Sequence, residues 1–332
     1  MRRFIGVDGG GTKTEFLIVD ESGRVLAAHR AGPSYYPEIG VPALEALIVE
    51  GLRATLAQAS LSPAEIAFAC IGLPAHGEDS ALLERLDAIA GAVLPNERHR
   101  SVNDTVCGWA GALGGADGIN LVAGTGSIAY GEVAGLSARA GGWGELFSDE
   151  GSAYWIAREA LTLFSRMSDG RTTKGPLYDL LRAHFGLGAD LDVCAAVYGP
   201  PPLTRSQLAA LAPVAARAAR AGDLGAERLF AAAAQELAML VHAVRDQLTA
   251  SPEESLPVSY SGGMFKAQSL LTPLLEAALE GSGRCYEFIA PQLSPCAGAA
   301  LYAAKLAGTP LTVEAIGELK RSHGATLEES TS

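Results

Sequence analysis

The first chemical signal is a run of glycine, threonine and lysine residues at the end of an apolar stretch, Asp8-Gly9-Gly10-Gly11-Thr12-Lys13-Thr14. Successive glycines let backbone N–H groups come close to an anion, and threonine hydroxyls and a lysine ammonium add further donors. The run therefore predicts a phosphate-binding loop. A plain hairpin turn is the alternative, because hairpin turns commonly need glycines with a positive φ angle.

Two nucleotide-binding motifs are excluded for this loop. From Gly6 to Gly11 the spacing nearly matches a Walker A loop, but Thr12 stands where that loop has its lysine, and a strand follows instead of a helix. The spacing does not fit the dinucleotide-binding fingerprint either. Two further glycine loops, Gly124-Thr125-Gly126-Ser127 and Ser261-Gly262-Gly263-Met264, also lie at the ends of apolar runs. Three such loops fit one nucleoside triphosphate, although each alone is compatible with an ordinary turn.

Two carboxylates follow predicted strands. Asp8 ends the first apolar run, and Asp104 comes directly after a short strand that includes Val102. Carboxylates at such positions can hold Mg²⁺ through water or take a proton from an attacking hydroxyl group. The alternative for Asp104 is the N-cap of a helix that begins at Thr105.

A further dense cluster is the segment Gly141-Gly142-Trp143-Gly144-Glu145, with Asp149 shortly after it. Glycines beside a single Trp expose backbone amides near a flat apolar ring, which suits a sugar ring held by stacking and hydrogen bonds. Asp149 could then accept sugar hydroxyl groups or hold metal-bound water. The alternatives are a Trp buried in the core and an Asp149 that caps a helix beginning near Ser152.

The elements that must position these residues form a repeat. The first thirty residues predict three strands with tight turns, and the strand–loop–strand pattern restarts at residue 119, with its glycine loop about 115 residues after the first one. This predicts two related halves with a boundary near Asp117. Further elements are predicted as strands at 66–73, 99–102 and 255–260, as helices at 41–60, 80–94, 105–113, 264–279 and 295–307, and as a mainly helical segment at 152–250 in which Asp223 caps a long helix that ends near Leu248.

Composition narrows the class of protein. The chain has 332 residues, 25 Lys plus Arg against 37 Asp plus Glu, and a formal net charge of -12, which disfavours nucleic acid and acidic membrane surfaces as partners. No apolar run is long enough for a membrane helix, so a soluble protein is expected. The N-terminal apolar stretch is interrupted by Asp8 and glycines, unlike a signal peptide, so a cytoplasmic location is expected.

Cysteine and histidine patterns give no metal or disulfide signal. The five cysteines are scattered and contain no CxxC pair, which predicts isolated buried thiols. The six histidines show no paired metal-ligand spacing and are expected to be surface or structural residues.

Together these motifs resemble the N-acetylglucosamine kinase and BadF/BadG ATPase branch of the actin-like, or ASKHA, superfamily. The resemblance covers most of the chain and rests on the first glycine loop, Asn103-Asp104, the second and third loops, and the Trp143 segment through Trp155. It implies an α/β fold with two ribonuclease-H-like domains and ATP in the cleft between them. The expected domains are 1–117, with a returning C-terminal helix at 311–326, and 118–310, which includes the helical segment at 152–250.

The resemblance also implies roles for individual residues. Asp104 would be the catalytic base and a sugar contact, and Asp8 would hold Mg²⁺ through water. The family's sugar loop corresponds to Ser34-Tyr35-Tyr36, which lacks the Asn found in amino-sugar kinases of the vertebrate type. The implied ATP contacts are Asp8, Gly10, Gly11, Thr12, Lys13, Thr125, Gly126, Gly222, Gly262 and Gly263, and the implied sugar contacts are Tyr35, Tyr36, Asp104, Gly142, Trp143, Gly144 and Asp149.

The sequence thus predicts an ATP- and Mg²⁺-dependent kinase that phosphorylates the 6-hydroxyl group of an amino sugar, N-acetylglucosamine first. The zinc-binding and iron–sulfur cysteine patterns of other branches are missing. Alternatives that stay open are a glucosamine kinase, an ATPase that couples hydrolysis to a partner protein, and a non-catalytic sugar or nucleotide sensor. A homodimer is expected from the resemblance alone.

Overall fold

The computed structural model describes residues 1–94, 97–248, 253–266 and 270–329. Within these residues, strands form two five-stranded mixed sheets, and the first sheet has the order β3-β2-β1-β4-β5. Its strands are β1 (Arg3–Gly9), β2 (Thr14–Asp20), β3 (Val25–Ala31), β4 (Phe68–Leu73) and β5 (His99–Asn103). The strands of the second sheet are β6 (Gly118–Ala123), β7 (Ser127–Val133), β8 (Leu136–Gly141), β9 (Leu256–Ser261) and β10 (Tyr286–Ile289).

The two sheets confirm the predicted internal repeat. The second sheet has the order β8-β7-β6-β9-β10, which is the order of the first sheet with each strand replaced by its counterpart. In both, the first strand pairs antiparallel with the second and parallel with the fourth. The glycine loops at 10–13 and 124–126 therefore occupy the same place in the two sheets, between the first and second strands.

Helices fill the connections between strands. Asp223 caps the long helix as predicted, because its carboxylate accepts from the N–H groups of Gly225 and Ala226. The helices are α1 (Tyr36–Ile39), α2 (Val41–Gln58), α3 (Leu83–Ala88), α4 (Asp104–Leu113), α5 (Ala153–Ser168), α6 (Pro176–Phe185), α7 (Asp192–Tyr198), α8 (Arg205–Ala209), α9 (Ala212–Arg220), α10 (Leu224–Gln247), α11 (Leu271–Glu280), α12 (Pro295–Leu306) and α13 (Val313–Glu329).

The chain divides into a first unit, Met1–Asp117 with Ile289–Ser332, and a second unit, Gly118–Phe288. The division after Asp117 lies where the sequence places it. The return to the first unit comes earlier than expected, at residue 289 instead of 311, so that α12 belongs to the first unit and not to a second domain spanning 118–310.

Small residues explain why α12 packs in the first unit. A Cβ atom on Gly6 of β1 would collide with the backbone of Ala300, and one on Gly298 would collide with the backbone of Gly111 in α4. The helix therefore lies directly on the backbones of β1 and α4, as only glycine and alanine allow. Its alanines are almost completely buried there.

Successive side chains of β1 point to opposite faces of the first sheet, and both faces are buried. Ile5 and Val7 pack with α2, whereas Phe4, on the opposite face, packs in the cluster that contains α12. Such a strand, buried on both sides, holds the loop that follows it firmly in place. In the second unit, Ile119 and Leu121 of β6 pack in the cluster that contains α5 and α10.

Several elements differ from the sequence prediction. Strands β8 and β10 were not predicted, and β3 extends further than its predicted apolar core. Instead of one helix at 264–279, the described residues contain a 3₁₀ turn at Gly263–Phe265 and then α11, while 267–269 lie outside the described residues. Among the helices of the described chain, none is long and apolar enough to cross a membrane.

The prediction that the cysteine thiols are buried holds for three of the five. All five cysteines are free, but two of them, Cys194 and Cys285, are exposed. Cys70, Cys107 and Cys296 are buried in the first unit, in the same cluster as α12.

Candidate active site

The first glycine loop is not a turn that needs positive φ angles. Gly9, Gly10 and Gly11 all have φ angles outside the left-handed region. A Cβ atom on Gly9 would come within 2.5 Å of Ser34 Oγ and 2.8 Å of the Gly72 carbonyl oxygen. The loop does join the two strands of an antiparallel hairpin, but it does not use glycine for a positive φ angle, and Gly9 is glycine because of close packing.

In each of the three glycine loops, one glycine is not required by the folded chain itself. Gly11, Gly124 and Gly263 have ordinary φ angles and no described atom within 4 Å of the position that a Cβ would take. A glycine that neither the backbone nor the packing requires leaves room for the close approach of a ligand. Phosphate binding through backbone N–H groups would use such space, and it stays a prediction for these loops.

The charged and hydroxyl groups of the first loop differ in their accessibility. Lys13 Nζ donates to Glu15 Oε1 at 2.5 Å, so this ammonium group already has a carboxylate partner. Thr14 is buried and its hydroxyl donates to the Gly32 carbonyl oxygen, whereas Thr12 is exposed. Within this loop, Thr12 and the backbone of Gly10 and Gly11 are thus the best-placed donors for an incoming anion.

Asp8 and Asp104 lie close enough to affect each other's charge. Burial raises the pKa of Asp8 well above its ordinary value of 3.8, the negative charges of Asp104 and Glu15 raise that pKa further, and Lys13 lowers it. Parallel pairing explains the proximity, since β4 lies between β1 and β5 and all three end at the same edge. A Cβ on Gly72, at the end of β4, would lie only 3.5 Å from the Cα of Asp104.

Asp104 is not the helix cap. The N-cap of α4 is Asn103, whose side-chain oxygen accepts from the Thr105 N–H at 3.2 Å and the Thr105 hydroxyl at 2.8 Å. The other end of that amide donates to the His76 carbonyl oxygen at 3.1 Å. Asp104 is the first residue of the helix, where a negative charge is favoured by the helix dipole. The capping alternative for Asp104 is therefore wrong.

Buried thiols underlie the two carboxylates. Cys296 Sγ lies 3.6 Å from the Gly6 carbonyl oxygen, and Cys107 Sγ lies 3.9 Å from that of Val7. Burial, followed by the nearby charge of Asp8, raises the pKa of Cys296 well above its ordinary value. A hydrogen bond with Cys70, together with burial, does the same for the pKa of Cys107. These thiols stay protonated and act as apolar packing beneath the acidic pair.

The residues of the predicted sugar loop in the first unit, 34–36, differ in how deeply they are buried. Tyr36 is 8% exposed, and its hydroxyl donates to the Ala75 carbonyl oxygen at 3.3 Å, so its ring is part of the core. Tyr35 precedes α1 and is more accessible. Ser34, not among the predicted contacts, is buried beside Gly9, and its Oγ has no hydrogen-bond partner within the described chain.

In the second unit, the turn Gly124-Thr125-Gly126-Ser127 is fixed to the start of α5. The N–H groups of Ala153 and Tyr154 donate to the carbonyl oxygens of Gly124 and Thr125 at 2.9 and 3.3 Å. The Ser127 hydroxyl donates to the Glu150 carbonyl oxygen at 2.7 Å. These bonds hold the turn in one conformation, with its Thr125 side chain partly accessible.

The Trp143 loop presents its ring to solvent. Trp143 is 72% exposed, so the core-plug alternative is wrong. Gly142 and Gly144 both have positive φ angles, and Arg139 Nη2 donates to the Gly142 carbonyl oxygen at 2.6 Å. An exposed ring on a loop with fixed glycines has the form predicted for a sugar-stacking surface.

Asp149 is not a helix cap and faces the glycine turn. Ser152 caps α5 by accepting from the Trp155 N–H. Asp149 is only 2% exposed; its Oδ1 accepts from the Ser127 N–H at 3.1 Å, and its Oδ2 pairs with Arg205 Nη2. The sequence prediction missed Arg205 because no motif marks it.

The third glycine loop opens on a pocket of about 320 Å³ within the second unit. Gly262 has a φ angle of 104° and comes so close to Ala123 that only glycine fits, while Gly263 lines the pocket. Gly222 forms the turn after α9, a helix that supplies much of the opposite wall. The lining residues are Ala212, Pro213, Ala216, Arg217, Arg220, Phe230, Gly263, Met264, Lys266 and Leu270.

The predicted residues thus form local groups. In the first unit, Asp8, Asp104 and the loop at 10–13 lie at one sheet edge, and in the second unit Thr125 and Gly126 lie beside Asp149. No group of three or more His, Cys, Asp or Glu residues that could hold a metal ion occurs in the part of the chain that the structure describes.

The whole chain is similar to several known proteins. The chain is 28% identical over 309 residues to the N-acetyl-D-glucosamine kinase of Dictyostelium discoideum, covering 90% of this chain and 97% of the relative. It is 30% identical over 272 residues to the N-acetylmuramic acid/N-acetylglucosamine kinase of Clostridium acetobutylicum, covering 80% of this chain and 86% of that protein. A crystal structure from Chromobacterium violaceum, provisionally named N-acetylglucosamine kinase, superposes with a TM-score of 0.69 at 29% identity, covering 91% of this chain and 99% of the other.

These likenesses confirm the predicted fold class, an α/β fold of the actin-like kind. The model of the BadF/BadG/BcrA/BcrD ATPase family matches residues 5–303, which is most of the chain. The chain therefore belongs to the BadF/BadG/BcrA/BcrD ATPase family.

Proposed function

We propose that the protein is an ATP-dependent kinase that phosphorylates the 6-hydroxyl group of an amino sugar, with N-acetylglucosamine as the first candidate. The observation that carries the proposal is the acidic pair Asp8 and Asp104, at the sheet edge that also carries the first glycine loop. Two curated relatives that span most of the chain are named as kinases of N-acetylated amino sugars, which supports the same substrate class.

Asp104 is the proposed general base. It would accept the proton of the sugar hydroxyl while that oxygen attacks the γ-phosphorus of ATP and the bond to the β-phosphate oxygen breaks, so that ADP leaves. Phosphoryl transfer needs chiefly positioning and charge stabilisation from the protein, and one carboxylate at the acceptor oxygen suffices as a base. Since Asn103 caps α4, the role of Asp104 is not explained by helix capping.

The glycine loops are the proposed phosphate contacts. Gly10, Gly11 and Thr12 in the first unit, with Thr125 and Gly126 in the second, offer backbone N–H groups and hydroxyls. Lys13 would contribute by leaving or sharing its partner Glu15. The 320 Å³ pocket suits the nucleoside, since it combines apolar surface with cationic side chains; its proposed contacts are Gly222, Gly262 and Gly263.

The proposed sugar contacts are Asp104, the Trp143 loop and Tyr35. Trp143 would stack on the sugar ring, and the backbone of Gly142 and Gly144 would offer hydrogen bonds. Tyr36 and Asp149 are left out of this set, because both are nearly buried and their polar atoms already have partners within the protein.

Mg²⁺ fits this donor set as an ion held mainly by water and ATP phosphates. Mg²⁺ keeps several waters and takes one or two protein carboxylates, and Asp8 supplies one, while Asp104 keeps its proposed role as the base. When bound, the ion would neutralise phosphate charge. Asp8 would hold it at the end of β1, where burial and the charges of Asp104 and Glu15 raise the pKa of the Asp8 carboxyl and a bound cation would lower it.

The first experiment is a sugar panel. ATP turnover should be slow without sugar and rise strongly with N-acetylglucosamine, because the phosphate-type loops and the sugar-type loop belong to one reaction. ADP release is measured with N-acetylglucosamine, glucosamine, N-acetylmuramic acid and glucose at fixed Mg²⁺. Stimulation by glucosamine alone would identify glucosamine as the substrate, and a response only to a protein partner would indicate a partner-coupled ATPase instead of a kinase.

The homodimer expected from the resemblance remains a prediction that light scattering tests.

Asp104→Asn should lower kcat by roughly 10² to 10⁴, the usual effect of losing a general base. The melting temperature and ATP affinity, measured by calorimetry, should stay near those of the wild type, because the cap of α4 is elsewhere. The matched control is Asn103→Ala, which removes that cap and should cost about 0.5 to 2 kcal/mol of stability. Near-normal sugar phosphorylation by Asp104→Asn would move the base to another carboxylate.

Trp143→Ala should raise the sugar KM and leave the ATP KM unchanged, since loss of an aromatic stacking surface costs about 1 to 3 kcal/mol of binding. Because the ring is 72% exposed, the melting temperature should not fall. Phe147→Ala, which removes another exposed ring of the same loop, is the control and should leave the sugar KM unchanged. An equal rise in both variants would assign the effect to the loop and not to the Trp143 ring.

Asp8→Asn should inactivate the enzyme and yet stabilise it at neutral pH. The pKa of Asp8 is raised in the folded protein, so the stability that its protonated form contributes is present below about pH 3.8 and is lost as the pH rises through the folded-state pKa. The variant cannot ionise there, so its melting temperature should exceed that of the wild type at pH 7 and approach it near pH 4. Melting curves across this range, with a chelator present, measure the difference.

Glu21→Gln, at an exposed turn of the same unit, is the control and should show no such gain. A melting temperature of Asp8→Asn below that of the wild type at pH 7 would contradict an uncompensated charge at Asp8.

A further inference from the structure

A groove in the second unit shares no described residue with the proposed ATP and sugar sites. It has a volume of about 400 Å³ and lies between one face of α5 and the short helix α7, with Leu208 of α8 at its side. A concave surface of this volume is large enough for a small organic molecule. The chemistry of its two walls indicates which kind of molecule fits.

The wall formed by α7 is apolar and incompletely covered. None of the seven residues of this helix is buried, although Val193, Val197 and Tyr198 line the groove. Tyr198 is 78% exposed, and Leu191, which directly precedes the helix, is 80% exposed. Large apolar side chains that cluster in the open beside a groove indicate a binding surface.

The opposite wall is a single face of α5. Its lining residues, which include Tyr154, Arg158 and Leu161, recur at intervals of three and four and therefore lie on one side of the helix. The hydroxyl groups of Thr162 and Ser165 on this face donate to the carbonyl oxygens of Arg158 and Thr162, at 3.0 and 2.8 Å. Since their protons are used within the helix, these hydroxyl groups are poor donors for a ligand.

Arg158 is the one charged side chain among the described residues that line the groove. Its Nε and Nη2 lie 3.3 and 3.2 Å from a single carboxylate oxygen of Glu159, and both side chains of this pair are partly exposed. Such a pair contributes little, and adjacent residues of a helix do not face the same side. The Nη1 group has no partner within the described chain, so the guanidinium keeps donors for an anionic group that enters the groove.

We propose that the groove between α5 and α7 binds a small amphipathic anion, a molecule with an aromatic or branched apolar body and one carboxylate, sulfonate or phosphate group. The apolar body would lie against Val193, Val197 and Tyr198, and the anionic group would accept hydrogen bonds from Arg158. A polyanion fits less well, because a second buried charge would have no cationic partner among the described lining residues. The proposal goes beyond the kinase reaction and does not depend on it.

The probe is anilinonaphthalene sulfonate, an aromatic monoanion whose fluorescence rises in apolar surroundings. Titration of the folded protein should saturate at a single probe molecule per chain. Arg158→Gln should weaken the affinity about tenfold, the effect of losing a charge-assisted hydrogen bond. Arg166→Gln makes the same charge change at an exposed position of the same helix outside the groove, and it should leave the affinity unchanged. Equal affinities of Arg158→Gln and the wild type would overturn the proposal.

Cys194 reports on the groove without any substitution. Its exposed thiol lines the groove, and Cys285 supplies a second exposed thiol elsewhere in the same unit. Alkylation by iodoacetamide is followed at each cysteine by mass spectrometry. The reaction should slow at Cys194 when anilinonaphthalene sulfonate is bound and should keep its rate at Cys285. Slowing at both thiols, or at neither, would contradict binding in the groove.

Two further measurements distinguish other occupants. Arg217→Gln alters a cation of the pocket at the third glycine loop, and it should leave the probe affinity unchanged. A loss of affinity in Arg217→Gln but not in Arg158→Gln would place the probe in that pocket and overturn the proposal. The alkylation rate of Cys194 in the free protein should not depend on protein concentration. A rate that increases on dilution would show that a second copy of the chain covers the groove, which would also overturn the proposal.

Discussion

The first unit has to hold two carboxylates, Asp8 and Asp104, near each other in a largely buried place, an arrangement that is unfavourable by itself. The surrounding structure imposes it. Gly72 lets the start of α4 approach the ends of β1 and β4, and the small residues of α12 hold α4 and β1 from below. Beneath the pair lie thiols that stay neutral, and the nearby Lys13 lowers the pKa of Asp8 without outweighing burial and the neighbouring carboxylates.

In the second unit, the buried carboxylate of Asp149 has partners within the protein. Asp149 has a backbone hydrogen bond and a guanidinium partner, and its strained φ angle is imposed by both. The same fold, repeated, therefore presents one half with an acidic pair in which the pKa of Asp8 is raised, and one half with a buried acid that has a guanidinium partner. Reactive chemistry belongs with the former, and a rigid binding surface belongs with the latter.

The sequence predicts the repeated sheet because both halves place a glycine and threonine turn between two apolar strands. It does not predict β8 or β10, which are short and lack a clear apolar alternation, and it does not show where α12 packs, because an Ala-rich helix indicates close packing but not against which surface. Within the candidate site, the positions of both acids and of the glycine loops can be predicted from residue types at the ends of apolar runs. The alternative in which Asp104 caps α4 places the cap one residue too late, since Asn103 and Asp104 are equally good capping residues and only the backbone decides between them. Arg205 could not be predicted, because its partner Asp149 is distant in sequence and no motif joins them.

A kinase has to keep water from taking the phosphoryl group before the acceptor is bound. In the second unit, the segment that begins at the exposed Trp143 ends at Asp149, and Glu145 between them also contacts Arg205. The proposed sugar surface and the proposed phosphate turn are therefore connected through one ion-pair group, with Gly126 directly beneath it. In a partner-coupled ATPase the exposed ring would have to contact a protein surface, and nothing in that reaction requires it to be joined to the phosphate turn. In a sugar kinase the connection has a purpose, because occupancy of the sugar surface and the geometry of the phosphate turn have to agree before transfer occurs.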